Sequence, residues 1–402
     1  MSEENMALGH NAPIAQQSEK KKLIRVGITH GDTNGIGYEL ILKVFADSEM
    51  FELLTPIVYG SPKVATYYRK ATNSQTNFQT VARAEDSIDG RLNLVSCFDD
   101  EIKIEMGQPS EEAGRAARLA LEQAVKDLKD GKIDVLVTAP VNKKTLECKE
   151  FPFAGHTDFL DARLGNGEGK ALMMLASESL RVALATTHLP ISKVAEAITP
   201  ERIETKLRTL YAALRQDFLI PMPRIAVLGL NPHNGDGGLL GDEEEKVISP
   251  AIKKLSGEGI HVFGPFAADG FFGSREYVHY DAIFAMYHDQ GLAPFKALAM
   301  DDGVNVTLGL PYLRTSPDHG TAYDIVGKGI ASEQSLRQAI FMAVDLYRNR
   351  KSDSEARENP LPKLYHDHRE DQRPRRFAPT EETGGKTNNV ADKQTDEKKV
   401  EK

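Results

Sequence analysis

The sequence predicts an α/β protein with a largely parallel sheet, arranged as two lobes with a cleft between them. Three observations predict it. Short runs rich in Val, Ile, Leu and Ala alternate with helical patterns from about residue 23 to residue 350. Runs such as Val182–Ala185, Ile225–Leu230 and Ala282–Met286 carry no polar alternation, as expected of strands covered on both faces. The chain's 402 residues are enough for two domains with large cores.

The elements follow in order. Leu23–Thr29 is a strand, followed by a glycine-rich turn and a helix from about Tyr38. Pro56–Tyr59 and Leu92–Val95 read as further strands. Glu111–Lys129 is an amphipathic helix, with Ala117, Leu119, Leu121, Ala124, Val125 and Leu128 close to helical spacing. Asp134–Thr138 is a buried strand, and Ala171–Ala176 and Arg181–Thr187 are candidates to pair with each other. Pro200–Phe218 is a long helix with Pro200 in its first turn. Arg224–Leu230 is a strand, Glu243–Leu255 a helix, Gly259–Phe263 a short strand and Ser335–Tyr347 the last helix. Residues 1–22 are expected to be a disordered leader. Residues 351–402 are expected to be a flexible charged tail, because stretches such as TEETGGKTNNVADKQTDEKKVEK cannot bury enough surface to fold.

Charge narrows the function. The net charge is −9, and both tails are balanced, so the whole excess lies in residues 23–350. That argues against a nucleic-acid surface and leaves room for a local basic pocket. No apolar stretch approaches the roughly 20 residues that span a bilayer, and the start lacks a signal-peptide core, so no membrane partner is expected. Two isolated cysteines, Cys97 and Cys148, suggest a reducing compartment, hence a cytoplasmic location.

Several motifs carry chemistry. His188, His233 and His288 each end or closely follow an apolar run. Three neutral imidazoles at strand ends would bind a divalent metal and leave positions open for substrate. Three separate histidines with local hydrogen bonds would give the same spacing. The turn GITHGDTNGIG has glycines suited to cradling phosphate but meets neither standard nucleotide fingerprint, so structural glycines in a tight turn are the simpler reading. In FAGHTDFLDARLG, His156 and Thr157 stand at a helix start, where Thr157 can cap the helix and the amides can receive an anion. Asn231 to Ile248 reads as a long loop leading into a helix. His288, Lys296, Asn305, Arg314, Asp318 and His319 crowd one segment, and Lys and Arg suit phosphate or carboxylate recognition.

Taken together, GITHGDTNGIG, TAPVNKK, FAGHTDF, MMLASESLRVALATTHLPIS, GLNPHNGDGG, GPFAADGFF, AMYHDQG and GVNVTLGLPYLRTSPDHGTAYD resemble the 4-hydroxythreonine-4-phosphate dehydrogenase (PdxA) family of pyridoxal phosphate biosynthesis. The resemblance runs in order from about Leu23 to Arg350. That family is similar in fold and chemistry to isocitrate and isopropylmalate dehydrogenases. It implies a first lobe over residues 23–150 plus 320–350, and a second over 151–319 with the metal site and a homodimer interface. It places metal ligands on His188, His233 and His288, not all required from one chain. It places substrate contacts on His156, Thr157, Lys296, Asn305 and Arg314, and catalytic roles on Lys296 and Asp269. The segment Asp318 to Ala331 looks like the adenine-side loop of isopropylmalate dehydrogenases, which points to His319, Gly320 and Asp324 for the dinucleotide. The chain departs from the family pattern at GDTNGIG, at Val141 to Lys144, and at Asp301 and Asp302.

The activity implied is oxidation of 4-phosphohydroxy-L-threonine by NAD, with NADP as the alternative, then decarboxylation to 3-amino-2-oxopropyl phosphate. One divalent ion per site is implied. Three imidazoles suit Zn, Co or Ni better than Mg, although a site completed by substrate accepts several ions. Three rivals remain at this level: a dehydrogenase of a 4-phosphorylated sugar acid (threonate or erythronate 4-phosphate), a metal-dependent hydrolase using the same histidines to activate water, and a non-catalytic sensor of a phosphorylated metabolite.

Overall fold

Twelve strands assemble into one sheet in the computed structural model. It describes residues 22–358 and 360, apart from 99–101, 147–150, 152, 154–155, 166–170 and 301. Most of the expected leader and tail therefore lies outside the described residues. The strands are β1 (Ile24–Thr29), β2 (Leu54–Gly60), β3 (Phe78–Val81), β4 (Leu92–Ser96), β5 (Val135–Thr138), β6 (Leu172–Ala176), β7 (Arg181–Leu184), β8 (Ile225–Leu228), β9 (Val262–Phe266), β10 (Ala282–Ala285), β11 (Val304–Leu308) and β12 (Arg314–Pro317). Their order is β3-β4-β2-β1-β5-β12-β11-β6-β7-β10-β8-β9. The unit that contains this sheet ends at Arg357, so the two expected lobes share one continuous sheet.

The sheet has two parallel flanks. From β3 to β12 every pairing is parallel, and so is every pairing from β7 to β9. Between them β12–β11, β11–β6 and β6–β7 are antiparallel. Most inner strands of both flanks, such as β1, β2, β5, β7, β8 and β10, are buried apolar runs, as expected where both faces of a sheet are covered. The helix Glu111–Lys129 shows why a given segment settles there. Ser110 caps it by accepting from the Ala113 amide at 3.2 Å. Ala117, Leu121, Ala124 and Leu128 then form a buried stripe under β1, β2 and β5. Burying a leucine such as Leu121 contributes roughly 2 kcal/mol. The helix Pro200–Gln216 starts in the same way, with Thr199 accepting from the Arg202 amide at 3.3 Å and Pro200 at its first position.

Several expectations need correction. The helix expected over Glu243–Leu255 is present, opening as a π-helix over Glu244–Ile248 and continuing as the α-helix Ser249–Gly257, two residues longer than expected. The strand expected over Gly259–Phe263 is shifted to Val262–Phe266. The last helix spans Gln334–Glu358, so residues 351–358 belong to a helix and not to a flexible tail. No Gly or Pro interrupts those residues, and Arg357 pairs with Asp353 at 2.7 Å across one turn. No helix among the described residues is long and apolar enough to cross a membrane.

Candidate active site

The central strands carry the site on one face. Register sets Asn305 opposite Ser316, and Thr307 opposite both Arg314 and Met173. Alternation along a strand points Asn305 and Thr307 to the same side. A cavity of about 290 Å³ opens there, lined by Thr138, Met173, Asn305, Arg314 and Ser316 from the sheet and by His156, Thr157, His188, His288 and Lys296 from the connections. It sits where the two parallel flanks meet at antiparallel strands, the kind of topological break where sheets leave crevices. A larger cavity of about 590 Å³ is lined by Arg208, Arg350 and Asp217. Its arginines are paired with Glu258 and Asp217, so its charge is already balanced.

Arg314 is the centre of the smaller cavity. Its residue is only 3% exposed, yet its guanidinium has no carboxylate partner among the described residues. It donates to Thr138 Oγ1 through Nε (3.0 Å) and Nη2 (2.6 Å), to Thr307 Oγ1 at 3.2 Å and to His156 Nδ1 at 3.1 Å. Burial lowers its pKa to about 9, which leaves it charged at neutral pH. The His156 imidazole is held well below its ordinary range, by burial first and then by the charges of Arg314 and Lys143. Its Nε2 is buried without a partner, as is Asn305 Oδ1. An unpaired buried cation beside unfilled polar atoms is an arrangement that an anionic, hydroxyl-bearing ligand completes.

One helix supplies a second wall. His288–Ala299 begins directly after Tyr287, and His288, Leu292 and Lys296, four residues apart, present one face to the cavity. Lys296 Nζ lies 3.5 Å from Asp318 Oδ2. Burial raises the Asp318 carboxyl above its usual range, against the opposing pull of Lys296. Thr157 is the second residue of the helix His156–Leu164, so it stands inside the first turn and does not cap it, contrary to the sequence reading.

The three histidines follow β7, β8 and β10, which are adjacent and parallel in the order β7-β10-β8. His188 and His288 come together, with ring centroids 6.1 Å apart. Partial burial, with Lys143 next, lowers the His188 pKa and favours the neutral, ligating form. Lys143 Nζ lies 3.0 Å from His188 Nε2. His288 Nδ1 is 2.7 Å from Asp289 Oδ1, so Nδ1–H donates and Nε2 keeps its lone pair. His233 stands apart on an exposed turn and does not line the cavity. Among the described residues of one chain, no three His, Cys or carboxylate side chains gather as an ion site. The turn itself is unusual: His233, Asn234, Gly235, Asp236 and Gly237 all have positive φ, from 45° to 78°. Three non-glycine residues of this kind within four positions, His233, Asn234 and Asp236, mark a segment whose shape is imposed by its surroundings.

Other assigned residues scatter. His319 and Gly320 line the cavity rim, while Asp324 is exposed on the following loop. His319 Nδ1 donates to the Gly320 carbonyl at 3.0 Å, and its Nε2 is buried without a partner. Asp269 is exposed on the helix Ala268–Gly273, away from the cavity lining, and its Oδ1 accepts from the Gly270 amide at 2.7 Å. Lys143, Thr138 and Ser316 reach the site without having been singled out from sequence. Only TAPVNKK, ending the strand-to-turn step at β5, could have pointed to the first two.

Known proteins share this arrangement of sequence and fold. The family profile described as "Pyridoxal phosphate biosynthetic protein PdxA" matches residues 52–343. A 4-hydroxythreonine-4-phosphate dehydrogenase from Bacteroides thetaiotaomicron is 58% identical over 348 residues, covering 87% of this chain and 95% of the relative. A protein from Oceanobacillus iheyensis, provisionally named D-threonate 4-phosphate dehydrogenase, is 39% identical over 80% of this chain and 97% of its own length. The crystal structure of a 4-hydroxythreonine-4-phosphate dehydrogenase from Klebsiella pneumoniae superposes with a TM-score of 0.71 at 31% identity, over 82% of this chain and 99% of that one. With identity this high over nearly the full length of the Bacteroides relative, and with the same fold in the Klebsiella structure, the chain belongs to the PdxA family of pyridoxal phosphate biosynthetic proteins.

Proposed function

We propose that this protein oxidises the C3 hydroxyl of 4-phosphohydroxy-L-threonine with NAD. The β-keto acid formed then loses CO2 to give 3-amino-2-oxopropyl phosphate, on the route to pyridoxal phosphate. The observation that carries the reading is Arg314: a buried guanidinium with no carboxylate partner among the described residues, in a cavity that also holds Lys143 and Lys296. The cavity lining holds these three cations against the single carboxylate of Asp318. A substrate with a phosphate and a carboxylate supplies the missing negative charge.

The donor set fits a divalent ion. His188 and His288 converge, Asp289 leaves the His288 Nε2 lone pair outward, and His233 follows the next parallel strand. In our reading His233 meets the other two across a homodimer. Leu239 and Leu240, directly beyond its turn, are 79% and 45% exposed, as an interface would use them. The unpartnered His319 Nε2 at the rim fits a donor group of the dinucleotide. When bound, the ion supplies Lewis acidity at the substrate hydroxyl and the dinucleotide supplies the hydride acceptor.

The chain's own residues then have defined work. Arg314 and Lys143 hold the anionic groups. His156, with its hydrogen on Nε2, donates to a substrate oxygen, and Asn305 fixes a polar group opposite. The Lys296–Asp318 pair takes the hydroxyl proton and returns one to carbon after CO2 leaves; the two side chains are 3.5 Å apart, and burial pushes the Asp318 carboxyl above its usual range. Thr157, in the first turn of its helix, adds a hydroxyl beside the anion. Such an enzyme works in the cytoplasm, in keeping with its two isolated cysteines.

The test is direct. Purified protein with NAD and added Zn, Co or Mg should reduce NAD in the presence of 4-phosphohydroxythreonine and release CO2. Unphosphorylated 4-hydroxythreonine should react far more slowly; equal kcat/KM for the two would end the reading of Arg314. The Oceanobacillus relative supports a second reading, oxidation of threonate 4-phosphate, because replacing the ammonium by a hydroxyl leaves the phosphate and carboxylate contacts unchanged. A higher kcat/KM for 4-phosphothreonate would select it.

A further inference from the structure

The segment 318–333 joins β12 to the helix Gln334–Glu358 without regular structure, and its first residues line the cavity. Its anchors come largely from the turn and helix after β1. The Ile36 amide donates to the Thr321 carbonyl at 3.2 Å, the Gly327 amide donates to Glu39 Oε2 at 3.0 Å, and Lys43 Nζ donates to the Gly329 carbonyl at 2.9 Å. The Tyr323 hydroxyl donates to Asp32 Oδ2 at 2.7 Å. Backbones approach closely enough that a Cβ on Gly35 would stand 2.9 Å from the Thr321 carbonyl oxygen. Asp32 is also tied to the cavity wall, because its amide donates to the Pro140 carbonyl at 2.9 Å and Pro140 lines the cavity.

Asp32 therefore bridges two parts of the site. It is 1% exposed, and its carboxylate is held by the Asn34 amide at 2.8 Å and by Tyr323. We propose that Asp32 and Tyr323 are a positioning pair: their hydrogen bond ties the strap 318–331 to the Pro140 wall and so sets His319 and Gly320 for a dinucleotide. The proposal rests on the dinucleotide reading above. Burial raises the Asp32 carboxyl above its usual range, with Tyr323 and the Asn34 amide pulling it back, so among the described residues the phenol is one of two donors that hold its charge. Removing that hydroxyl leaves the carboxylate with one donor and frees the strap at its midpoint. Tyr323 touches neither substrate nor reacting atoms in this account. It acts through the strap.

Tyr323→Phe deletes the hydroxyl and keeps the ring. The full-length variant and wild type are titrated with NADH alone, read by nucleotide fluorescence, and then assayed for turnover. Weakening of NADH binding by roughly tenfold is expected, the size of one lost hydrogen bond to a charged group. The loss should fall on KM for NAD more than on kcat, and KM for the phosphorylated substrate should hold. Asp32→Asn, isosteric with the native residue, should move the same way. Tyr67→Phe, at an exposed tyrosine, is the control and should bind as wild type. Wild-type NADH affinity in either folded variant overturns the pairing while leaving the dinucleotide reading intact. A wild-type protein that takes up neither NADH nor NADPH overturns both.

Discussion

Nη2 of Arg314 stands 3.1 Å from Nδ1 of His156, and that contact fixes how both groups are protonated. A guanidinium only donates, so Nδ1 must accept and the ring's hydrogen must sit on Nε2. Burial and the adjacent charge both keep the imidazole neutral. The pair thus offers an anion one fixed charge and one N–H donor.

Arg314→Met tests this arrangement. In the free protein the charge has no counter-ion among the described residues, so removing it should leave the melting temperature unchanged or raise it, despite the orphaned Thr138 and Thr307 hydroxyls. Binding of the phosphorylated substrate should fall by roughly 100-fold or more, the effect of losing a buried charged contact. Calorimetric titration and thermal unfolding measure the two effects separately. A destabilised variant with intact affinity would mean that Arg314 serves the fold alone.

Asp289 should tune the metal through His288. Losing a carboxylate behind a ligating imidazole costs about 10- to 100-fold in metal affinity. Asp289 is 85% exposed at its side chain, so solvent screening puts the expected effect near the lower end of that range. Competition against a chelator, with wild type and Asp289→Ala side by side, gives the ratio. No change would mean that His288 keeps its orientation without help.

Much of the fold was legible because most of its strands are apolar runs and the helices Glu111–Lys129 and Pro200–Gln216 are capped and amphipathic. The Glu111–Lys129 boundaries follow from Ser110 and a clean stripe. What escaped has physical reasons. β12, with sequence RTSP, is buried at the centre of the sheet although three of its four residues are polar; its Arg314 and Ser316 face a cavity that only the assembled sheet creates. The helix His288–Ala299 contains Gly291 and Pro294, which read as breakers, and Gly291 is required there because a Cβ would meet Leu184 and Val182 at 2.8 Å. The anion-binding residues were named from the family resemblance, and the composition of their segment agreed with it. Lys143 was passed over because one lysine among several exposed ones carries no signal until His188 is placed beside it.

The left-handed turn bearing His233 should be intolerant at one glycine and tolerant at another. A Cβ on Gly235 would lie 2.3 Å from the Gly241 carbonyl oxygen and 3.0 Å from Glu244 Oε2, at a φ of +78°. Backbone cannot yield as a side chain can, so Gly235→Ala should destabilise by about 2 kcal/mol or more. Gly237 has a φ of +64° with nothing within 4 Å of a new Cβ, so Gly237→Ala should cost only about 1 kcal/mol. Urea unfolding of the two variants gives the difference. Equal losses would show that the turn is not held by its packing against the Gly241 loop.

His30 gives the protein a pH dependence that one substitution can remove. The residue is fully buried, stacked on Tyr38 at 5.0 Å and edge-on to Phe98 at 5.6 Å. Burial lowers its pKa to about 3. The unfolded chain binds a proton there near pH 6.5, so below that pH the unfolded state holds a proton that the native state refuses. The sign follows: stability is complete above about pH 6.5 and is lost as pH falls toward the native value, at up to about 1.4 kcal/mol per pH unit. His156, also held low by burial, adds to the same trend. His30→Phe keeps an aromatic ring in the stack and removes the titration. Urea midpoints at pH 7, 6 and 5 should therefore fall less steeply in the variant, by close to one proton in the slope. Parallel lines for the two proteins would mean that His30 takes up its proton without unfolding the core around it.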